Sequence, residues 1–191
     1  MVMLARDLRQ GRGERMLMRP EDSGPPRLIS WVEVDELIDG LIPRIQSLGP
    51  FGAMVMITRG GVIPGGLLAE ALSIQHLLTA SVDFVAAARA SVMAWPSFLQ
   101  FPDPNLLRGR RALVVDDVWG SGRTSIAVRD RVSAAGGTPV SCVLHYHPYR
   151  SMFSDAKPDL YGDVTDAYVV YPWEIDRGLL GREFAGAPSE N

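Results

Sequence analysis

Five short apolar runs, spaced by stretches of helical period, set the plan of the chain. Ala53 to Thr58, Leu77 to Phe84, Ala112 to Val115, Val140 to His145 and Ala167 to Tyr171 are dense in Val, Ile, Leu and Ala, the pattern of strands covered on both faces. Three helical segments accompany them, one before the first run and two between runs. Ser30 and Glu33 form a capping-box pair ahead of Val34, Leu37, Ile38, Leu41, Ile42 and Ile45, which recur at helical spacing, and Gly40 and Pro43 predict a kink or an early end. A second helix runs through Leu67, Leu68, Ala71 and Leu72. A third spans Thr124 to Ala135, with Ile126, Val128 and Val132 inward, and Gly136-Gly137 stops it. Strands alternating with helices predict an α/β fold, a doubly wound and mainly parallel sheet flanked by helices, with ligands at the carboxyl ends of the strands.

Three stretches break the pattern. Residues 1–27 are polar, rich in arginine and broken by Gly11, Gly13, Pro20, Gly24, Pro25 and Pro26, and read as a flexible N-terminal arm without the apolar core of a signal peptide. Residues 84–110 have little periodicity and contain Pro96, Pro102 and Pro104; a loop of that length belongs in a compact domain only if it has a function. Ser151 to Asp166 reads as a polar loop, and 181–191 as a C-terminal tail. The predicted domain is therefore 28–180.

Composition narrows the setting more than the function. In 191 residues with 47% hydrophobic content there is enough apolar surface for one sizeable core. A net charge of −3 gives no general attraction to nucleic acid or to an anionic membrane, and no apolar run approaches the length of a membrane span, so neither partner is expected. The arginines of the arm could still touch RNA or a partner subunit; the plainer reading is a solvated tail. The lone Cys142 lies in an apolar run and has no second cysteine to pair with, which suits a reducing, cytoplasmic compartment. Lys157 is the only lysine. A side-chain cation that meets a phosphate here must therefore be an arginine.

The chemistry concentrates in Arg111 to Thr124, RALVVDDVWGSGRT. An apolar strand runs into Asp116 and Asp117, which face a crevice where the strand should end. Gly120, Ser121 and Gly122 then let backbone N–H groups turn inward ahead of a helix whose start carries partial positive charge. Neither the P-loop pattern nor the dinucleotide fingerprint fits, since there is no Lys and the acids precede the loop. Acid, acid, then phosphate loop suits a ribose carrying a 5-phosphate; the competing reading is an ordinary strand-to-helix turn with an Asp cap. A second glycine-rich turn, Arg59-Gly60-Gly61, follows the strand Ala53 to Thr58, where missing Cβ atoms would let a large anion approach backbone amides.

On these residues the chain resembles the type I phosphoribosyltransferases, and in motif order the xanthine-guanine and hypoxanthine enzymes among them. DDVWGSGRT looks like their ribose-phosphate signature, and ITRGGVIPGGLLAEAL like their pyrophosphate turn. The resemblance covers roughly Ser30 to Trp173. It implies transfer of a phosphoribosyl group from phosphoribosyl pyrophosphate to a nucleobase, a 6-oxopurine by motif order, with Mg²⁺ and release of pyrophosphate. Asp116 and Asp117 are then the catalytic acids, holding ribose and, directly or through water, the metal. Val118, Trp119, Gly120, Ser121, Gly122, Arg123 and Thr124 line the 5-phosphate, and Arg59, Gly60 and Gly61 the pyrophosphate.

In this family residues 84–110 correspond to a mobile hood. Arg89 within it could reach the pyrophosphate or lie in solvent, and Trp95, Phe98 and Phe101 are expected to pack the hood against the body. His147 stands where the purine enzymes hold a Lys that reads the exocyclic oxygen. Tyr168 is the implied base stacker, unless it serves strand packing, and Val169 a source of backbone hydrogen bonds. Gly120 departs from the family, because the enzymes acting on hypoxanthine, xanthine or guanine usually hold an Asp there. The resemblance further implies a homo-oligomer, dimer or tetramer. A non-catalytic regulatory protein that binds phosphoribosyl pyrophosphate or a nucleotide is the alternative, since one fold serves both uses.

Overall fold

The computed structural model describes residues 25–85 and 95–175. Eight strands and four helices follow in the order β1 Arg27–Leu28, α1 Trp31–Ser47, β2 Ala53–Ile57, α2 Val62–Leu72, β3 Leu77–Val85, β4 Trp95–Gln100, β5 Arg111–Trp119, α3 Arg123–Ala134, β6 Thr138–Tyr146, β7 Leu160–Val164, β8 Val169–Val170 and α4 Pro172–Ile175. Six strands form one sheet in the order β4-β3-β2-β5-β6-β7, and β1 and β8 make a separate two-stranded ribbon. All neighbours in the large sheet are parallel except β3 and β4. The architecture is the α/β sheet that the alternating pattern predicts.

Residue parity along β2 and β5 divides the core into two halves. Met54, Met56, Leu113 and Val115 face α1 and α2, joined by Val34, Ile38, Leu41, Ile45 and Leu68. Ala53, Val55, Ala112 and Val114 face α3, joined by Val128 and Val132. The helix after β2 therefore covers one face and leads to β3 on one side, whereas the helix after β5 covers the other face and leads to β6 on the opposite side. Strand order reverses between β2 and β5. In doubly wound sheets that point opens a crevice at the carboxyl ends of the strands.

Helix α1 begins on the predicted capping box, with Ser30 accepting from the Glu33 N–H and Glu33 accepting from the Ser30 N–H. It does not stop at Gly40 or Pro43 but continues to Ser47. Pro43 lies on the exposed face, where its missing N–H disturbs no tertiary contact, while Leu41 and Ile45 on the other side are fully buried. Helix α3 ends as its glycines predict: Gly136 has a φ of +82° and Gly137 N–H returns to the Val132 carbonyl.

Several other expectations are corrected. The segment 84–110 is not without regular structure, since Trp95–Gln100 pairs antiparallel with β3 and Pro104–Leu106 forms a 3-10 turn. Phe98 and Phe101 pack on the α3 side of the core as expected, but Trp95 is 82% exposed. The polar loop 151–166 contains β7 on the sheet edge. The last predicted strand shrinks to Val169–Val170, and it pairs with β1, so that Arg27 joins the folded body and bonds Asp163 at 3.0 Å. Cys142 is a buried core residue whose thiol is pushed up to about 12 by burial, and it takes no part in the site.

Candidate active site

Strand β5 does not end at its acids. It pairs with β2 only from Ala112 to Val115, then runs on against β6 alone through Asp116, Val118 and Trp119. The departure of β2 at Thr58 leaves that flank of β5 open. The turn after β2 occupies it: a Cβ on Gly60 would overlap the Asp117 carboxylate, and one on Gly61 would overlap the Val115 carbonyl. Only glycine allows this approach. The peptide between Thr58 and Arg59 is cis. Arg59 is exposed at the rim, and Gly61 N–H bonds the Ile57 carbonyl.

The phosphate-type loop rests on Trp119. Its indole is fully buried beneath Gly122, whose φ is +80° and whose Cβ, if present, would lie 2.6 Å from Nε1. Position 122 thus needs glycine for both backbone and space. The Ser121 carbonyl accepts from Met152 N–H at 3.0 Å, which ties the loop to the segment after β6. The N–H groups of Arg123, Thr124 and Ser125 precede the first bond of α3, from Ile126 N–H to the Gly122 carbonyl. Of the predicted loop residues, Trp119 has its side chain in the core and supports the loop from below. Gly120 has open space around a notional Cβ.

Asp116 and Asp117 are half-buried, and each makes a local bond, Asp116 Oδ1 with the Asp117 N–H and Asp117 Oδ1 with the Val118 N–H. Desolvation, then the neighbouring Asp117 charge, raises the Asp116 carboxyl well above its ordinary range. Desolvation, with help from the Glu174 carboxylate, pushes Asp117 up to about 6 against the opposing Val118 N–H. Such a pair is poised to receive hydroxyl donors or a cation.

Behind Asp117 lies a group that the sequence did not nominate. The Tyr171 hydroxyl donates to the Asp117 carbonyl at 2.8 Å, so it must accept from His145 Nδ1, also at 2.8 Å. His145 is fully buried, and desolvation lowers it to about 4, which keeps it neutral. Tyr171 also stacks on Trp173, with ring centroids 4.5 Å apart. This chain fixes the backbone that carries the second acid.

These two groups titrate in opposite senses. Asp117 has a raised pKa, so its contribution favours the fold below about 4 and is lost as pH rises to about 6; His145 is lowered, so its contribution is lost as pH falls from 6.5 to about 4. They offset each other in the parent protein. Asp117→Asn removes the first alone, and we expect thermal melts in which this variant gains on the parent between pH 4.5 and pH 7.5. An equal difference at both pH values would contradict the raised Asp117.

On the base side, His147 is buried and bonded to backbone. Its ring is 2% exposed, with Nε2–H donating to the Asp166 carbonyl at 2.8 Å and Nδ1 accepting from Arg150 N–H at 3.2 Å. Both nitrogens bond backbone groups here, and His147 pins the turn between β6 and the segment before β8. Tyr168 is half-buried with the Arg150 guanidinium 5.7 Å from its ring centre. The Tyr168 and Val170 carbonyls bond β1, and alternation along β8 turns the N–H and C=O of Val169 away from it. Arg89 lies outside the described residues.

The strand order, the glycine turn after β2 and the acid pair of β5 followed by a glycine loop into α3 match the type I phosphoribosyltransferase fold, and the chain has that fold. No family model matches it. Within that class its curated relatives are purine enzymes: it is 29% identical over 154 residues to xanthine-guanine phosphoribosyltransferase of Ruegeria sp. (strain TM1040), covering 77% of this chain and 84% of that one. It is also 29% identical over 130 residues to the protein of the same name from Gluconobacter oxydans (strain 621H), covering 68% and 73%. Among solved structures it is similar to the purine phosphoribosyltransferase from Pyrococcus horikoshii Ot3, with a TM-score of 0.66, 26% identity, and coverage of 78% of this chain and 93% of that one.

Proposed function

We propose that the protein transfers the 5-phosphoribosyl group of phosphoribosyl pyrophosphate to a 6-oxopurine and releases pyrophosphate. The observation that supports this reading is the close approach of Gly60 to the Asp117 carboxylate, which brings the turn after β2 against the acid pair that leads into the 120–124 loop. The loop 120–124 takes the 5-phosphate through backbone N–H groups and the start of α3. Asp116 and Asp117 take the ribose hydroxyls. Arg59, with Gly60 and Gly61, takes the pyrophosphate, and the base lies toward Tyr168 and the outward backbone of Val169.

Among the described residues no cluster of three or more His, Cys, Asp or Glu side chains could hold a metal ion. A Mg²⁺ ion, which keeps water and phosphate oxygens as ligands, needs fewer, and the close, desolvated pair Asp116 and Asp117 suits it with the pyrophosphate oxygens completing the shell. When bound it would neutralise charge on the leaving group. The chain's own contribution is to orient sugar and pyrophosphate on rigid strand ends, so that a base nitrogen meets C1 in line. No helix among the described residues is long and apolar enough to cross a membrane. A homo-oligomer remains part of the proposal.

Pyrophosphate release with a panel of bases and Mg²⁺ tests the reading; tight binding without turnover on any base would favour the regulatory alternative. Arg59→Ala should weaken phosphoribosyl pyrophosphate by about tenfold or more, the loss of a charge-assisted contact, yet leave ribose 5-phosphate within about twofold of the parent. Calorimetry with both ligands decides. Equal weakening would make Arg59 structural.

A further inference from the structure

Helix α3 carries two arginines that lie on aromatic rings of the β3–β4 hairpin. Arg123, its first residue and part of the 120–124 loop, has its guanidinium carbon 4.1 Å from the centre of the Phe84 ring. Arg131, eight residues or about two turns further on, lies 5.4 Å from Phe98 and 5.6 Å from Phe101. Phe84 stands near the end of β3, one residue before Val85, which pairs with Trp95 at the start of β4. The strand pair is thus held to α3 at two places, one where the partly buried rings of Phe98 and Phe101 pack against the core beneath the exposed Arg131, and one at the start of α3 beside the 120–124 loop.

The two holds differ in what competes for the cation. Around Arg131 the rings pack on the buried α3 face of the sheet. Arg123 instead begins the helix whose first N–H groups would meet a phosphate. A charge-assisted hydrogen bond to a phosphate oxygen is stronger than an attraction to a phenyl face at a partly exposed site. The phosphate should win the guanidinium.

We propose that Arg123 is a positioning residue that exchanges Phe84 for the ligand's 5-phosphate, and so couples filling of the phosphate loop to release of the β3 end of the hairpin while Arg131 keeps the β4 side in place. This rests on the phosphoribosyl reading of the loop. By reciprocity, if phosphate weakens the Arg123–Phe84 contact, that contact weakens phosphate binding by the same factor.

The test uses the full chain with ribose 5-phosphate as the probe. Hydrogen exchange should speed severalfold at 82–85 on saturation, with little change at 97–100. Phe84→Leu should abolish that response and bind ribose 5-phosphate about two- to fivefold more tightly, the worth of the lost cation–π contact. Arg123→Met should weaken binding and make 82–85 exchange fast with or without ligand. A purely structural Phe84 would leave affinity unchanged or lower it, so a Phe84→Leu variant that binds no more tightly overturns the coupling. So does parent protein that binds ribose 5-phosphate with no change at 82–85. Failure of the parent to bind ribose 5-phosphate at all overturns the underlying reading instead.

Discussion

Asp116→Asn combined with Asp117→Asn abolishes working affinity for phosphoribosyl pyrophosphate, weakening it at least about a hundredfold, and leaves the fold intact. The magnitude follows from two contacts in a desolvated place. A hydrogen bond between a carboxylate and a hydroxyl contributes ~1.5–3 kcal/mol, so losing two costs roughly 3 kcal/mol or more. The fold should survive because both acids bond only neighbouring backbone N–H groups, which an Asn oxygen can accept equally well. Removing two carboxyls held above their ordinary range should even raise the melting temperature at neutral pH. Calorimetry at pH 7.5 measures the loss. Unchanged affinity in a well-folded double variant removes the acid pair from the ligand site.

Much of this site was legible because its parts are local. A strand, two acids and a glycine loop sit within Arg111–Thr124, and Gly60 and Gly61 follow β2 directly; hydrophobic patterning then puts both at the same sheet edge. Contacts made at long range were not legible. That both His147 nitrogens are taken depends on Asp166, 19 residues away, and on the Arg150 N–H in the same turn. Nothing in HYHP distinguishes a His that reads a ligand from one that pins a loop. The chain from His145 through Tyr171 to Asp117 is likewise assembled from β6, the segment after β8 and β5.

The fold expectations failed for similar physical reasons. Strand β4, WPSFLQ, carries Pro96, which argues against a central strand; it is tolerated because β4 is the edge of the sheet. Strand β7 is the other edge, and LYGDV has Gly162 where a Cβ would press on Leu37 and the Leu144 carbonyl. That glycine looks like a loop residue in sequence, yet it is demanded by packing against α1. Helix α1 passes Gly40 and Pro43 because the apolar stripe Val34, Ile38, Leu41 and Ile45 is buried along its whole length. Burial there outweighs the local cost of both residues.

Gly120→Asp should raise turnover on hypoxanthine, guanine or xanthine by about a hundredfold, the usual worth of a positioned proton-transfer group. Two structural facts bear on it. A Cβ at position 120 meets nothing within 4 Å, and Gly120 does not have a positive φ, so an Asp side chain can be added without strain. The position follows Trp119 at the end of β5, on the strand that carries both acids. In the parent protein neither His147, committed to the Asp166 carbonyl and the Arg150 N–H, nor Gly120, which has no side chain, can exchange a proton with a purine. Turnover by the parent should therefore be slow, with a 6-oxopurine still the best substrate through stacking on Tyr168 and the outward backbone of Val169. Steady-state pyrophosphate release by parent and variant, with each base in turn, makes the comparison. Faster turnover of adenine, orotate or uracil by the parent would overturn the choice of base. An unchanged rate in a Gly120→Asp variant that melts normally would place the imidazole edge of the base elsewhere.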